Sequence, residues 1–219
     1  MARILFEKKN SAIWLSHLDT MRLFQRAFRR ANLELKHSQG FNPHAYVSVA
    51  LPLSVGVESN CEILDYELDI AVSCDEVVRR LNDALPAGIR CLQGYENGKK
   101  IKYLTYLTAK IQLEYDKGCH SETVTALEGF MNRDTIQVEK RTKSKGMVMT
   151  DIKPMVVESA VTLADDNAVE LTVTVCAQNP TLNPALLVTA LETLRPDLAP
   201  DFSKITRLAV LDEAKAPFV

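Results

Sequence analysis

The sequence predicts an α+β protein built as two similar halves, on three observations. Short runs in which apolar and polar residues alternate mark strands, apolar residues at steps of three and four mark helices, and the two kinds follow one another in the same order twice. Composition fits a packed core: of 219 residues, 47% are hydrophobic and 25% charged, which excludes the disordered classes. No apolar run approaches the ~20 residues of a membrane helix, and no secretory segment opens the chain, so a cytoplasmic protein without membrane contact is expected.

Arg3-Ile4-Leu5-Phe6-Glu7 reads as the first strand, and Ile13-Trp14-Leu15 either extends it or leads into the first helix. Ser16 is placed to cap that helix, and Asp19, three residues on, takes the capping-box position and suits the positive end of the helix dipole. Leu18, Met21, Phe24, Ala27, Phe28 and Ala31 recur at helical steps, which predicts one buried face, and Asn32 is the predicted stop. A polar loop follows, then a strand from Tyr46 to Leu53 with Val47, Val49 and Leu51 on one face. After a turn through Ser54 to Asn60, Leu64, Tyr66, Leu68 and Ile70 alternate with Asp65, Glu67 and Asp69 as a further strand. Ser73 and Glu76 form a second capping box, Val77, Leu81 and Leu85 give helical spacing, and Pro86 with Gly88 ends the helix before a strand at Ile89 to Leu92. The order β-α-β-β-α-β is the ferredoxin-like pattern.

Residues 94–102 have the composition of a connector, which predicts domains at 1–98 and 99–219. In the second cycle Leu107 to Tyr115 alternates as a strand and Ser121 to Met131 is helical. Ile136 to Arg141 and Met147 to Ile152 form an extra hairpin, and Val156 to Leu163 and Val169 to Cys176 a strand pair. Asn183 with Pro184 starts a last helix through Leu194, and Ile205 to Leu211 closes as a strand. The fold class is therefore α+β with two tandem ferredoxin-like domains, the second carrying an added hairpin.

The net charge of −2 argues against indiscriminate nucleic-acid affinity, but the charge is uneven. Residues 1–40 carry eight Lys/Arg against three Asp/Glu, and residues 51–98 carry three against nine, so one basic face is expected beside ordinary solvated surface. On the first helix Arg22, Arg26, Arg29 and Arg30 fall within an arc of about 100° opposite the aromatic stripe. Guanidinium forks so placed can hold phosphates bidentately, although an amphipathic helix also needs a charged outer face.

The loop His37-Ser38-Gln39-Gly40-Phe41-Asn42-Pro43-His44 joins hydrogen-bonding side chains to an aromatic ring that can stack on a base; the plainer reading is a self-satisfied turn. His17 and His44, with Asp19 to orient one imidazole, are the candidate general acid and base for metal-free RNA cleavage. Lys140, Arg141, Lys143 and Lys145 cluster at the hairpin tip with Lys153 nearby, either as an anion clamp or as a soluble tip. Five cysteines at least 13 residues apart, with no CxxC pair, read as reduced thiols and offer no metal or cluster site. No phosphate loop, dinucleotide fingerprint or G-x-S-x-G elbow is present, which disfavours the common nucleotide enzymes.

Four segments in succession, Ser16-His17-Leu18-Asp19, Arg26 to Ala31, Ser38 to His44 and Ala50 to Ser59, resemble the radical SAM-linked protein family. The resemblance is specific over residues 3 to about 95, and rests more loosely beyond on Lys140 to Lys145, Asp151-Ile152-Lys153-Pro154 and the late helix. It implies a companion of a radical S-adenosylmethionine protein, without an established activity to carry over. This chain lacks the cluster-binding cysteines, so no cofactor is expected in it, and the iron–sulfur cluster and S-adenosylmethionine are expected in the partner alone. At fold level the tandem pattern is also similar to the repeat-cleaving CRISPR endoribonucleases. The resulting expectation is a non-catalytic accessory protein that binds RNA, tRNA or rRNA. A metal-independent endoribonuclease using His17 or His44 and a protein adaptor without RNA contact are the alternatives.

Overall fold

The computed structural model describes residues 1–142 and 146–218. The chain divides into two compact units, Met1–Tyr103 joined by Phe218 from the far end, and Leu104–Pro217. The division falls at Tyr103, just past the connector read from composition. Phe218 belongs to the first unit because its ring is buried over the Arg3 guanidinium, 5.3 Å from ring centre to Cζ.

In the first unit β1 (Ala2–Lys8) leads through a 3-10 turn at Asn10–Trp14 into α1 (His17–Arg30). Then come β2 (Val47–Val49), β3 (Glu58–Tyr66), α2 (Cys74–Ala84) and β4 (Ile89–Glu96). All pairings are antiparallel and the strand order is β4-β1-β3-β2. Ser16 caps α1, its Oγ accepting the Asp19 amide at 3.2 Å, and Asn32 ends it in the left-handed region at φ +53°. A short polar side chain tolerates that conformation where most L-residues do not.

The core lies where Phe24, Ala27 and Phe28 of α1 and Val77 and Leu81 of α2 meet Ile4, Phe6, Leu64, Tyr66 and Ile89 of the strands. Phe6 and Phe24 meet edge to face at 4.7 Å, and Phe28 and Tyr66 are tilted at 5.3 Å. These are the separations at which ring quadrupoles attract. Asn82 ties α2 to β4 by exchanging two hydrogen bonds with the Cys91 backbone, at 2.8 and 2.9 Å.

Three expectations are corrected. Leu18 is 63% exposed, because it lies roughly 200° round the helix from Thr20, which takes the inward position of the first turn. The strand expected from Tyr46 to Leu53 shrinks to the three residues of β2. β3 starts at Glu58 and stops at Tyr66, so Leu68 and Ile70 fall beyond it. The cause is competition for β3's end: Lys36 donates its amide to the Glu67 carbonyl at 2.9 Å, and Leu35 bridges Leu68. What read as a polar loop after α1 thus carries two buried residues, Leu33 and Leu35.

The second unit runs β5 (Leu104–Glu114), α3 (Ser121–Met131), β6 (Gln137–Thr142), β7 (Gly146–Asp151), β8 (Val156–Asp165), β9 (Ala168–Cys176), α4 (Ala185–Leu194) and β10 (Phe202–Asp212). Among the described residues its sheet order is β10-β5-β9-β8, again with antiparallel pairs, while β6 and β7 pair with each other. Fourth strand beside first, first beside third and third beside second is the same order as in the first unit. The protein is thus α+β with mainly antiparallel pairing and, among the described residues, four α-helices. No helix among the described residues is long and apolar enough to cross a membrane.

Phe28→Ala empties a fully buried ring position and is expected to cost about 3–5 kcal/mol in denaturant unfolding. A loss under ~1 kcal/mol would show that α1 does not depend on this contact.

Candidate functional site

Burial of Phe24, Ala27 and Phe28 fixes the rotation of α1, so Arg22, Arg26, Arg29 and Arg30 are all exposed. They do not form one uniform face. Arg22, Arg26 and Arg30, four residues apart, line a groove of about 580 Å³ with Leu15, Leu23 and the end of α2 at Ala84, Leu85 and Pro86. Arg30 donates to the Ala84 carbonyl at 2.7 Å, and Arg22 lies 3.4 Å from Asp19. Arg29 turns the other way, into a larger cavity of about 1020 Å³. Among the described residues, Arg26 and Arg29 have no hydrogen-bond or ion-pair partner for their guanidinium groups.

That larger cavity lies between the second half of α1, the segment Leu33 to His37, the returning segment Pro43 to Val47, and Asp69 with Ile70. The predicted polar loop forms one wall. Its stem is held by the Ser38 amide on the His44 carbonyl and the His44 amide on Ser38 Oγ, both at 2.9 Å, and by a bridge from His37 to Ala45. At its tip Gln39, Phe41 and Asn42 are exposed, Phe41 fully so. Gly40 sits at φ +128°, which an L side chain rarely adopts. His44 and Pro43 face the cavity, and the phenyl ring of Phe41 stands free in solvent.

The histidines separate. His44 and His37 share the cavity with Arg29, whereas His17 starts α1 at its opposite end. At 1.5 Å per residue the helix puts roughly 18 Å between the levels of His17 and Arg29, so the cavity that His44 lines gives no support to His17 as its acid–base partner. Asp19 is engaged elsewhere: it accepts the Ser16 hydroxyl at 2.6 Å, and this bond, helped by Arg22, holds its carboxyl below the usual carboxylate range. The groups that orient the cap are thus separate from those around the cavity.

On the second unit, Lys140 donates to the Thr181 carbonyl at 2.9 Å. Lys153 donates to the carbonyl of Met131, the last residue of α3, at 2.5 Å, which is a helix C-cap. Both lysines are only half exposed. Lys143 and Lys145 lie outside the described residues, as does the side chain of Arg141.

Sequence reasoning missed Gln25, Asn32, Glu34, Asp69 and Ile70 as cavity residues, and Leu85 and Pro86 as groove residues. The available signal was the pair Leu35 and Leu68, each an apolar residue between charged neighbours, whose bridge draws Asp69 to Glu34. Burial pushes the Cys91 thiol up to about 12, and Cys61 and Cys119 are buried as well. No group of three or more His, Cys, Asp or Glu side chains placed to hold a metal ion occurs among the described residues.

Fold and site together define an α+β protein whose distinctive chemistry is a capped, arginine-bearing helix beside a polar loop and cavity. The chain belongs to the bacterial family DUF2344, described as an uncharacterised protein conserved in bacteria, whose pattern matches residues 2–184. No curated protein matches it. Among solved structures it is similar at 12% identity and TM-score 0.49 to a chain of a Cbf5-Nop10-Gar1 complex, covering 95% of this chain and 48% of that one. The chain therefore spans about half the length of that neighbour. An unknown protein from Galdieria sulphuraria matches at 12% identity and TM-score 0.25, covering 94% of this chain and 96% of that one. Likenesses this loose carry no inference about chemistry.

The Ser16–Asp19 cap makes a pH prediction. Because the folded carboxyl is depressed, its contribution to stability is full above the unfolded aspartate value near 3.9 and is lost as pH falls through the lower folded value. Ser16→Ala removes the leading cause, so an NMR titration of Asp19 should move upward toward the free value, and the helix should weaken by ~1 kcal/mol. An unchanged Asp19 titration would contradict this account of the cap.

Proposed function

We propose that this protein is a non-catalytic, cytoplasmic accessory to a radical SAM enzyme, and that it binds RNA, tRNA or rRNA, through α1 and the adjoining loop. The single observation that carries the RNA reading is the pair of exposed guanidinium groups at Arg26 and Arg29, without a partner among the described residues and flanked by Arg22 and Arg30. A free guanidinium gains most from a phosphate, since no existing ion pair has to be broken and its fork matches two phosphate oxygens. The exposed Phe41 adds a stacking surface of the kind that unpaired bases use. In this reading Ser38, Gln39, Asn42 and His44 contact the bound strand, with Gly40 and Pro43 shaping the loop. Lys143, Lys145 and Arg141 give a second set of contacts from the hairpin, while Lys140 and Lys153 contribute charge from positions already tied to carbonyls.

The matching strand orders of the two units support reading both as ferredoxin-like, the second with β6 and β7 inserted between α3 and β8. The radical SAM companion is proposed from the sequence resemblance, and the iron–sulfur cluster and S-adenosylmethionine are assigned to that companion. Five dispersed cysteines, three of them buried, support that assignment.

A second reading, a protein adaptor, is favoured by the groove under Arg22, Arg26 and Arg30. Its apolar floor at Leu15, Leu23, Leu85 and Pro86 suits an acidic amphipathic segment of the companion.

Labelled tRNA and rRNA fragments should bind with affinity that falls steeply between 50 and 200 mM salt. Each lost phosphate contact should flatten the slope of log K against log salt by about 1, so Arg26→Glu with Arg29→Glu should flatten it by about 2 and weaken every RNA tested. No binding at low salt, or an unaffected double variant, overturns the RNA reading. Co-purification with the radical SAM companion that survives nuclease and is lost in Leu85→Glu would favour the adaptor.

A further inference from the structure

We propose that the cavity beside the second half of α1 takes one unstacked ribonucleotide of the bound strand, with its base and ribose inside and its phosphate at the Arg29 rim. This inference rests on the RNA-binding reading and specifies which form of RNA is bound and where. At about 1020 Å³ the cavity is just above the range of small-molecule sites, roughly 300–1,000 Å³, which leaves room for a nucleotide.

Its chemistry is more selective than its size. Seven polar side chains, Gln25, Arg29, Asn32, Glu34, His37, His44 and Asp69, line it without a side-chain hydrogen bond or ion pair among the described residues. One guanidinium stands against two carboxylates, so Glu34 and Asp69 oppose the entry of a bare phosphate or other small anion. The two carboxylates are acceptors only, while the two amides and the imidazoles of His37 and His44 supply both donors and acceptors. The matching ligand is therefore a neutral, planar group rich in N–H and O–H donors that is covalently joined to a single anion. A nucleoside with its phosphate meets that description, and the ribose 2′-hydroxyl is a donor that deoxyribose lacks.

The phosphate then belongs at the edge, where Arg29 stands. Arg26, three residues back on the helix and so a surface neighbour, is placed for the next phosphate along the strand. A base held in a duplex cannot enter, because its hydrogen-bonding edge is already paired.

The test uses the full chain and three labelled 12-mers of one sequence: single-stranded RNA, the same RNA annealed to its complement, and single-stranded DNA, all at one salt concentration. Single-stranded RNA should bind at least about fivefold more tightly than the duplex, the lower end of what burying one base contributes, and several-fold more tightly than DNA. Glu34→Gln combined with Asp69→Asn removes two exposed negative charges without altering shape. It should leave DNA binding unchanged or stronger while the RNA-to-DNA ratio falls toward one. Equal binding of duplex and single strand, or a double variant that strengthens RNA and DNA by the same factor, overturns the nucleotide pocket and leaves the RNA-binding reading standing. Absence of all RNA binding overturns both.

Discussion

The rotation of α1 about its own axis is the constraint on which the arginine-bearing surface depends. Phe24 against Phe6 and Phe28 against Tyr66 set that rotation through two ring contacts, and Ala27 between them allows the helix to approach the strands closely. A helix offers its partner one stripe and its solvent the opposite one, so burying the aromatic stripe decides where every arginine points. Its axial position is fixed at the front by Lys8, which is 2% exposed and donates its ammonium to the Leu15 carbonyl at 2.7 Å, directly before the Ser16 cap.

From this follows a division that a helical wheel does not show. An arc of about 100° can look like one basic face, yet α2's end rises on one side of it and the Leu33 to Val47 segment on the other. Arg22, Arg26 and Arg30 therefore border a groove with an apolar floor, and Arg29 borders a cavity with two carboxylates. The same residue type meets two chemistries because its neighbours come from different parts of the chain. Two of the four arginines are also partly engaged, on Asp19 and on the Ala84 carbonyl, which leaves Arg26 and Arg29 as the two whose guanidinium groups have no partner among the described residues.

The lysines of the second unit teach a related point. Basic residues in sequence suggest anion binding, but Lys153 closes the carbonyl end of α3 and Lys140 holds the Thr181 carbonyl. A lysine that satisfies a helix-terminal carbonyl has an internal partner to give up before it can serve a phosphate, so its local role competes with the one its charge suggests.

Much of the fold was legible in the sequence because it is written in local rules. The Ser16 and Ser73 caps, the Asn32 stop, the Ser121 to Met131 helix and the strand pair around Asp165 to Asn167 each depend on residues within a few positions of one another. The arginines' exposure was legible for the same reason, since the aromatic stripe that buries the opposite face lies on the same helix. What only the tertiary structure decided was which distant residues meet. Ile70, expected inside a strand, stands at a cavity rim because Leu35 and Lys36 pair with Leu68 and Glu67 where that strand was expected to continue. His17, close to His44 in a reading along the chain, starts α1, while His44 lines a cavity beside the helix's second half. Periodicity records which side of an element is buried; it does not record what lies against the other side, and that is where Glu34, Asp69 and Arg29 come to line one cavity.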